Sequence, residues 1–248
     1  LRLLRWAKVC FRNGHALRSL PGPVLTGTPF VTRHARPLSA SHLGPVRRVV
    51  DKMTTFFGQN VGTSTPVADS IPGPTVQMPN PVRSIFEGDG HPDNQREGLL
   101  FAGRLVSRKG VDVALRALFH LHERGRSLAL TICGDGPARG RLEATARELG
   151  VADHVDFRGW TEPNELANLY QQSRAALIPS RKEPFGIVAL EAIAGGCPVV
   201  ASHVGGLLEA VGECGLLVEP EDPKGLADAV EDILKPKVRS KLRAAMPA

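Results

Sequence analysis

Glu183 and Glu191, eight positions apart in SRKEPFGIVALEAIAGGCPVVASHVGGLLE (residues 180–209), are the carboxylates best placed to do chemistry. Between them Pro184, Phe185 and Gly186 read as a loop feeding straight into an apolar helix. Proline near a first turn presets φ and leaves no N–H unpaired, and Gly186 lets backbone approach a ligand closely. The start of such a helix offers unpaired amides, here those of Gly186, Ile187 and Val188, and a partial positive charge, which suits a phosphate. About a turn and a half further in, Glu191 can reach vicinal hydroxyls such as those of a ribose. Gly195 and Gly196 end the helix, and Pro198-Val199-Val200 opens a buried strand.

Other groups stand at comparable points of the chain. Arg104 and Lys109, in GRLVSRKG, fall where a strand ends and a helix begins; Arg presents a planar fork and Lys a compact point charge. Gly134 and Gly136, in CGDGP, occupy a second strand-to-helix turn, where glycine serves either turn geometry alone or a ligand. His34 ends the segment PFVTRH and is either a loop imidazole facing solvent or one at the carboxyl edge of a sheet, where α/β proteins bind ligands. Trp160, in RGWT, either stacks on a ligand or caps the core. Glu87 and Asp89, in EGDG, are spaced like a metal-holding pair, but their polar, Gly-bearing surroundings read as a solvated turn. Cys10, Cys133, Cys197 and Cys214 lack metal-ligand spacing and read as buried free thiols rather than disulfides, which suits a reducing compartment.

The elements that must position these groups follow from periodicity and from Gly and Pro. From residue 98 onward, strands at 98–102, 128–133, 154–158, 175–178, 198–201 and 215–218 alternate with helices. The helices run from Lys109-Gly110 to about 124, from Pro137 to 149, over 162–172, after Phe185, over 206–211 and over 223–234. Such alternation implies crossovers and a parallel sheet, a doubly wound α/β domain over 98–234. Ahead of it the pattern predicts a strand over 23–34, an amphipathic helix over 46–57, a short strand near 59–64 and a loose Pro/Gly-rich region after Thr65-Pro66. The polar stretch 84–97 reads as an interdomain linker, which divides the chain into 1–83, the linker, and 98–248. Residues 1–20 mix apolar and basic side chains at helical spacing. Three readings stay open for them: a transit helix, a basic amphipathic surface that touches anionic lipid, or a helix of a larger domain. The chain ends in a basic helical segment, KPKVRSKLRAA.

The run through Glu183 and Glu191, with Pro-Ser before it and Gly-Gly and Pro-Val-Val after it, resembles the E-x7-E signature of the retaining glycosyltransferases of family 4, the glycosyl transferases group 1. The resemblance implies the GT-B architecture, two facing Rossmann-like domains, with nearly all of the C-terminal domain and the later part of the N-terminal one present. It implies that Glu183 contacts the sugar of a nucleotide-sugar donor and Glu191 its ribose. His34 is similar to the family's histidine lining the donor sugar pocket, and Arg104 and Lys109 match the pair that grips the diphosphate. Gly134 and Gly136 resemble the loop beside the nucleotide, and Arg158 to Thr161 the loop whose backbone meets the base. VQMPNPV (76–82) resembles the family's exit from the N-terminal domain, with Pro81 where Gly is usual. The implied reaction moves a hexose-type sugar from a nucleotide-diphosphate sugar to an acceptor with retention. Phe185 and the Gly186, Ile187 and Val188 amides complete the implied donor set. No cofactor and no metal are expected, since two fixed cations and a helix start can meet the charge that grows on the leaving diphosphate.

Bulk properties narrow the classes further. At 248 residues, 42% hydrophobic and 23% charged, the chain suits an ordinary globular protein. No apolar run reaches the roughly 18 residues of a membrane-spanning helix. Residues 1–50 hold nine Lys or Arg and no acid, so against an overall +6 the remaining 198 residues stand at −3. The expected acceptor is a sugar, a lipid-linked compound or a small molecule; the basic half suits a lipid-linked or phosphorylated one, and peripheral membrane contact by a cytoplasmic enzyme. Nucleic acid is not an expected partner, for lack of aromatic platforms. A dehydrogenase is disfavoured because no G-x-G-x-x-G opens a helix after a strand. The alternatives to a transferase are a non-catalytic nucleotide-sugar-binding fragment and a GT-B sugar-nucleotide epimerase.

Overall fold

The computed structural model describes residues 10–13, 30–34, 55–56, 59–78, 81–88 and 92–246. The chain divides into two compact units, Leu1–Pro81 and Val82–Ala248.

In the first unit four short strands, β1 (Cys10–Asn13), β2 (Phe30–His34), β3 (Gln59–Gly62) and β4 (Thr75–Gln77), form a parallel sheet in that order. The helix expected over 1–20 is corrected at its centre: Cys10–Asn13 is a strand, with Cys10 opposite Phe30 and Asn13 opposite Arg33. Sheet neighbours decided this segment over its local spacing, because a strand's backbone partners lie far away in sequence. The rest of that expected helix, residues 23–29 of the expected strand, and residues 46–54 and 57 of the expected amphipathic helix lie outside the described residues; Thr55 and Phe56 form a turn. The expected loose region after Thr65-Pro66 is ordered instead. It holds α1 (Thr65–Asp69), with proline in its first turn, and then β4. Val67 and Ile71 are buried there, β4 pairs with β3, and Asn60 Nδ2 donates to the Pro74 carbonyl at 2.9 Å, so apolar anchors and backbone pairing together order a Pro-rich stretch.

The second unit carries β5 (Glu97–Ala102), α2 (Val111–Glu123), β6 (Leu130–Cys133), α3 (Arg139–Glu148), β7 (Val155–Gly159), α4 (Pro163–Gln172) and β8 (Ser173–Ile178). It continues with α5 (Ile187–Ala194), β9 (Val199–Ser202), α6 (Leu207–Val211), β10 (Gly215–Val218), α7 (Pro223–Leu234) and α8 (Pro236–Ala244). The six strands lie in the order β10-β9-β8-β5-β6-β7 and all pair in parallel. Both sheet faces are covered, which is why β5 and β8 read as continuous apolar runs rather than alternating ones. One face packs on α2, α3, α7 and α8 through Leu115, Leu118, Leu142, Val230, Ile233 and Leu242. The other packs on α4, α5 and α6 through Tyr170, Ala189, Ile193 and Leu207. Each fully buried Leu or Ile contributes roughly 1.5–3 kcal/mol.

Local chemistry sets the helix ends. Asp222 accepts a hydrogen bond from the Gly225 amide at 2.9 Å, with Pro223 just inside α7, a cap and first turn that need no tertiary help. The stretch 84–97, expected as a linker, lies in the second unit. Phe86 is buried edge-on to Tyr170 at 6.1 Å, and buried Arg96 donates to the Ser173 carbonyl at 3.0 Å. Among the described residues no helix is long and apolar enough to cross a membrane.

Candidate functional site

The strand order fixes where a site can form. Chain progression reverses between β5 and β8, and in open parallel sheets the crevice beyond the carboxyl ends of those two strands is where ligands bind. The loops leaving β5 and β8 are 103–110 and 179–186, which hold Arg104, Lys109, Glu183, Phe185 and Gly186. A cavity of about 320 Å³ opens beside them, lined by Arg104, Gly134, Trp160, Thr161, Val188 and Glu191 among others.

The loops are brought together by close backbone approach. The Leu105 amide donates to the Asp135 carbonyl at 2.9 Å, and the Ala138 amide to the Leu105 carbonyl at 3.0 Å. Gly134, at φ 133°, lies so close that a Cβ there would stand 2.0 Å from the Gly103 carbonyl oxygen. Gly136 likewise meets the Leu105 carbonyl, so this pair of glycines is required for the approach whatever else it does. Gly134 also lines the cavity.

On the β8 side, Gly186 begins α5 at φ 85°, a left-handed value that favours glycine. The loop before it is pinned by the Gly206 amide, which donates to the Glu183 carbonyl at 2.9 Å, and the half-buried Phe185 sits in this pinned bend. Among the described residues the amides of Ile187 and Val188 donate to no backbone carbonyl, as expected of the first turn of a helix. The Ile187 side chain is exposed.

Charge is arranged unevenly. Lys109 and Glu183 form an ion pair, with side-chain exposures of only 12% and 10%. The Lys109 Cε lies 4.0 Å from where a Cβ on Gly103 would stand, against a residue of the cavity wall. Arg104 is exposed and makes no side-chain hydrogen bond or ion pair with a described residue. Glu191 is half-buried in the cavity wall; burial pushes its carboxyl above the ordinary range, and the charge of Arg83 partly offsets this. Its carboxylate makes no hydrogen bond with a described residue, which leaves both oxygens for hydroxyl donors. Tyr170, beneath α5, is pushed well up by burial and donates weakly to the Val188 carbonyl at 3.4 Å, so it is a neutral part of the helix's support.

Of the expected site residues, Arg104, Gly134, Val188 and Glu191 line one cavity, Lys109, Glu183, Phe185 and Gly186 lie on the two loops beside it, and Ile187 opens α5. Trp160 is 78% exposed on the cavity rim, which excludes the core-capping alternative. His34 belongs to the first unit. There it is 2% exposed, with Nε2 3.1 Å from Asn60 Oδ1, so it is not a solvent-facing loop residue. Cys133 and Cys197 are buried free thiols, the latter pushed by burial to about 12, and Cys214 is half-buried. Two features escaped the sequence reading. Arg83, expected as the end of the N-terminal segment, and Phe86, expected in the linker, both line the cavity from within the second unit; their only signal was an apolar residue shortly after an Arg. Arg181, between the motif's Ser180 and Glu183, carries the densest hydrogen bonding of the site, described below.

Residues 84–247 match the family model described as Glycosyl transferases group 1. D-inositol 3-phosphate glycosyltransferase of Acidothermus cellulolyticus is 40% identical over 186 residues, covering 67% of this chain and 42% of that protein. Glycogen synthase of Mycobacterium tuberculosis is 36% identical over 196 residues, covering 78% and 45% respectively. The chain thus spans less than half the length of these curated relatives. Among solved structures, sucrose-phosphate synthase from Thermosynechococcus elongatus superposes with a TM-score of 0.79 at 26% identity, over 95% of this chain and 67% of that one. Anabaena HepE in complex with UDP gives 0.84 at 19% identity, over 98% and 74%, a likeness of fold.

Proposed function

Since the chain belongs to the glycosyl transferases group 1, we propose that it supplies the donor half of a transferase moving a hexose-type sugar from a nucleotide-diphosphate sugar to an acceptor, with retention of configuration. The observation that carries this reading is the convergence around one cavity, at the reversal point of a parallel sheet, of Arg104, half-buried Glu191 and a helix start, whose charged groups and first amides make no ion pair or backbone hydrogen bond with a described residue. Their chemistry matches the three parts of a nucleotide sugar. The Glu191 carboxylate accepts from ribose hydroxyls, and the Ile187 and Val188 amides with Arg104 and Lys109 meet the diphosphate. Glu183 faces the hydroxyls of the transferred sugar once the diphosphate draws Lys109 toward itself.

Rate enhancement in this reading is electrostatic. As the glycosidic bond breaks, negative charge accumulates on the leaving diphosphate, and fixed donors aimed there stabilise the transition state more than the ground state. Each charge-assisted hydrogen bond is worth roughly 1.5–3 kcal/mol. His34 keeps the role its motif implies, so replacing it should lower turnover with donor affinity retained. The decisive experiment is calorimetric titration of the full-length protein with uridine, guanosine and adenosine diphosphates and their sugars. One of these should bind, and Glu191→Ala should weaken it; binding unaltered by Glu191→Ala removes the ribose assignment.

A further inference from the structure

We propose that Arg181 is a positioning residue for the donor diphosphate: it fastens the segment carrying Glu183 to the turn carrying Lys109 and so sets where both charged groups stand. The inference rests on the donor-site reading above. Arg181 lies two residues before Glu183. Its Nη1 and Nη2 donate to Oδ1 and Oδ2 of Asp112 at 3.0 and 2.8 Å, a bidentate pair. Nη1 also donates to the Ser107 carbonyl at 2.6 Å, and Nε to Glu221 Oε1 at 2.6 Å. The Arg181 backbone amide adds a bond to the Arg108 carbonyl at 2.8 Å. Ser107, Arg108 and Asp112 bracket Lys109 in sequence, and Lys109 closes the ring by pairing with Glu183.

Three points argue that this clamp serves the site rather than the sheet. β5 and β8 are already joined by their own ladder, with Leu99 opposite Ala175 and Leu100 opposite Ala176, so the strands do not need it. The clamp joins loops, and only a guanidinium fork can hold a carboxylate bidentately while reaching a carbonyl and a second carboxylate. Its third anchor, Glu221, is the one non-glycine among the described residues with positive φ, at 63°. Such backbone persists where the surroundings hold it, and here the carboxylate is tied to Arg181.

The test uses the full-length protein and three variants, Arg181→Gln, Arg181→Lys and Lys109→Ala. Titration with uridine, guanosine and adenosine diphosphates should show Arg181→Gln weakening the preferred one about tenfold, with Arg181→Lys recovering only part of this. In the Lys109→Ala background the Arg181→Gln effect should largely vanish, because the two residues act through one contact. A merely structural arginine would give additive losses, and that result overturns the proposal. Amide exchange should rise about tenfold over residues 107–110 and 181–186 in Arg181→Gln and stay unchanged in β5 and β8; no rise in the loops overturns it as well. If the parent protein binds none of the diphosphates while the exchange pattern changes as described, the clamp exists but the donor reading falls, and the positioning role with it. Should Arg181→Gln fail to fold, Asp112→Asn removes the charge of the bidentate partner and is read by the same titrations and exchange.

Discussion

The two sides of the crevice beyond β5 and β8 are built on opposite principles. On one side the charges that tie the two loops together are already answered: Arg181 by Asp112 and Glu221, Lys109 by Glu183. On the other, Arg104 and Glu191 line the cavity with no ion pair to any described residue. Under the proposed donor-binding role, the paired charges build the site and the open ones meet the nucleotide sugar. Paired charges, from the nearly buried Lys109 and Glu183 to the exposed Glu221, hold geometry at little net gain in stability. An unpaired carboxylate held half out of water costs the folded protein something and is retained where it meets a partner.

The largest effect should come from breaking the paired side at one member only. Lys109→Ala leaves the Glu183 carboxylate at 10% exposure without its cation, and breaking such a pair typically costs about 3–5 kcal/mol. Lys109→Met with Glu183→Leu should recover most of that stability in denaturant titration while abolishing transfer, which separates the pair's structural part from its chemical part. Recovery of transfer by the double variant would contradict the comparison.

On the open side the order reverses, with binding lost and stability kept. Glu191→Ala should weaken the preferred nucleoside diphosphate by roughly tenfold to a hundredfold, the worth of hydrogen bonds to a charged acceptor. Because burial raises the Glu191 carboxyl above its ordinary 4.5, the folded state binds that proton more tightly than the unfolded chain. The stabilising contribution is therefore fully present below about pH 4.5 and lost as pH rises through the folded value. Glu191→Gln should then raise the melting temperature at pH 7, with the gain shrinking toward pH 4.

The paired side carries the opposite pH signature. The Arg181 hydrogen bonds hold the Asp112 carboxyl below its ordinary 3.8. That contribution is present above the ordinary value and lost as pH falls through the depressed one. A melting curve series from pH 5 to pH 2 should lose less stability in Arg181→Gln than in the parent protein. The smallest structural effect belongs to Trp160, whose 78% exposure predicts that Trp160→Ala changes stability by no more than about 0.5 kcal/mol. If the ring stacks on a base, affinity should still fall by roughly 1–3 kcal/mol; unchanged affinity would make it a bystander on the rim.

Much of this was legible in the residues. The alternation of apolar runs with helical spacing from residue 98 onward matched the observed elements to within about two residues at most ends, because Gly and Pro punctuate the chain locally. The Glu183 to Gly196 segment announced a loop, a helix start and a helix stop for the same reason, and Arg104 with Lys109 could be read as cations at a strand end. The N-terminal segment was different. Cys10–Asn13 has helical spacing of charges but is a strand, since its partner, Phe30–Arg33, lies 20 residues away.

Local pattern thus determined the order of the elements in the second unit and which side chains stand at their ends, because turn chemistry and periodicity act over a few residues. Only the folded sheet decided the rest. Lys109 meets Glu183 across 74 positions, Arg181 meets Asp112 across 69, and Phe86 joins the cavity from a stretch that reads as a tether, with Arg83 just ahead of it. Those pairings exist because β5 and β8 became neighbours at the reversal of strand order, and adjacency between distant strands follows from the packing of the whole sheet, which no single window of sequence contains.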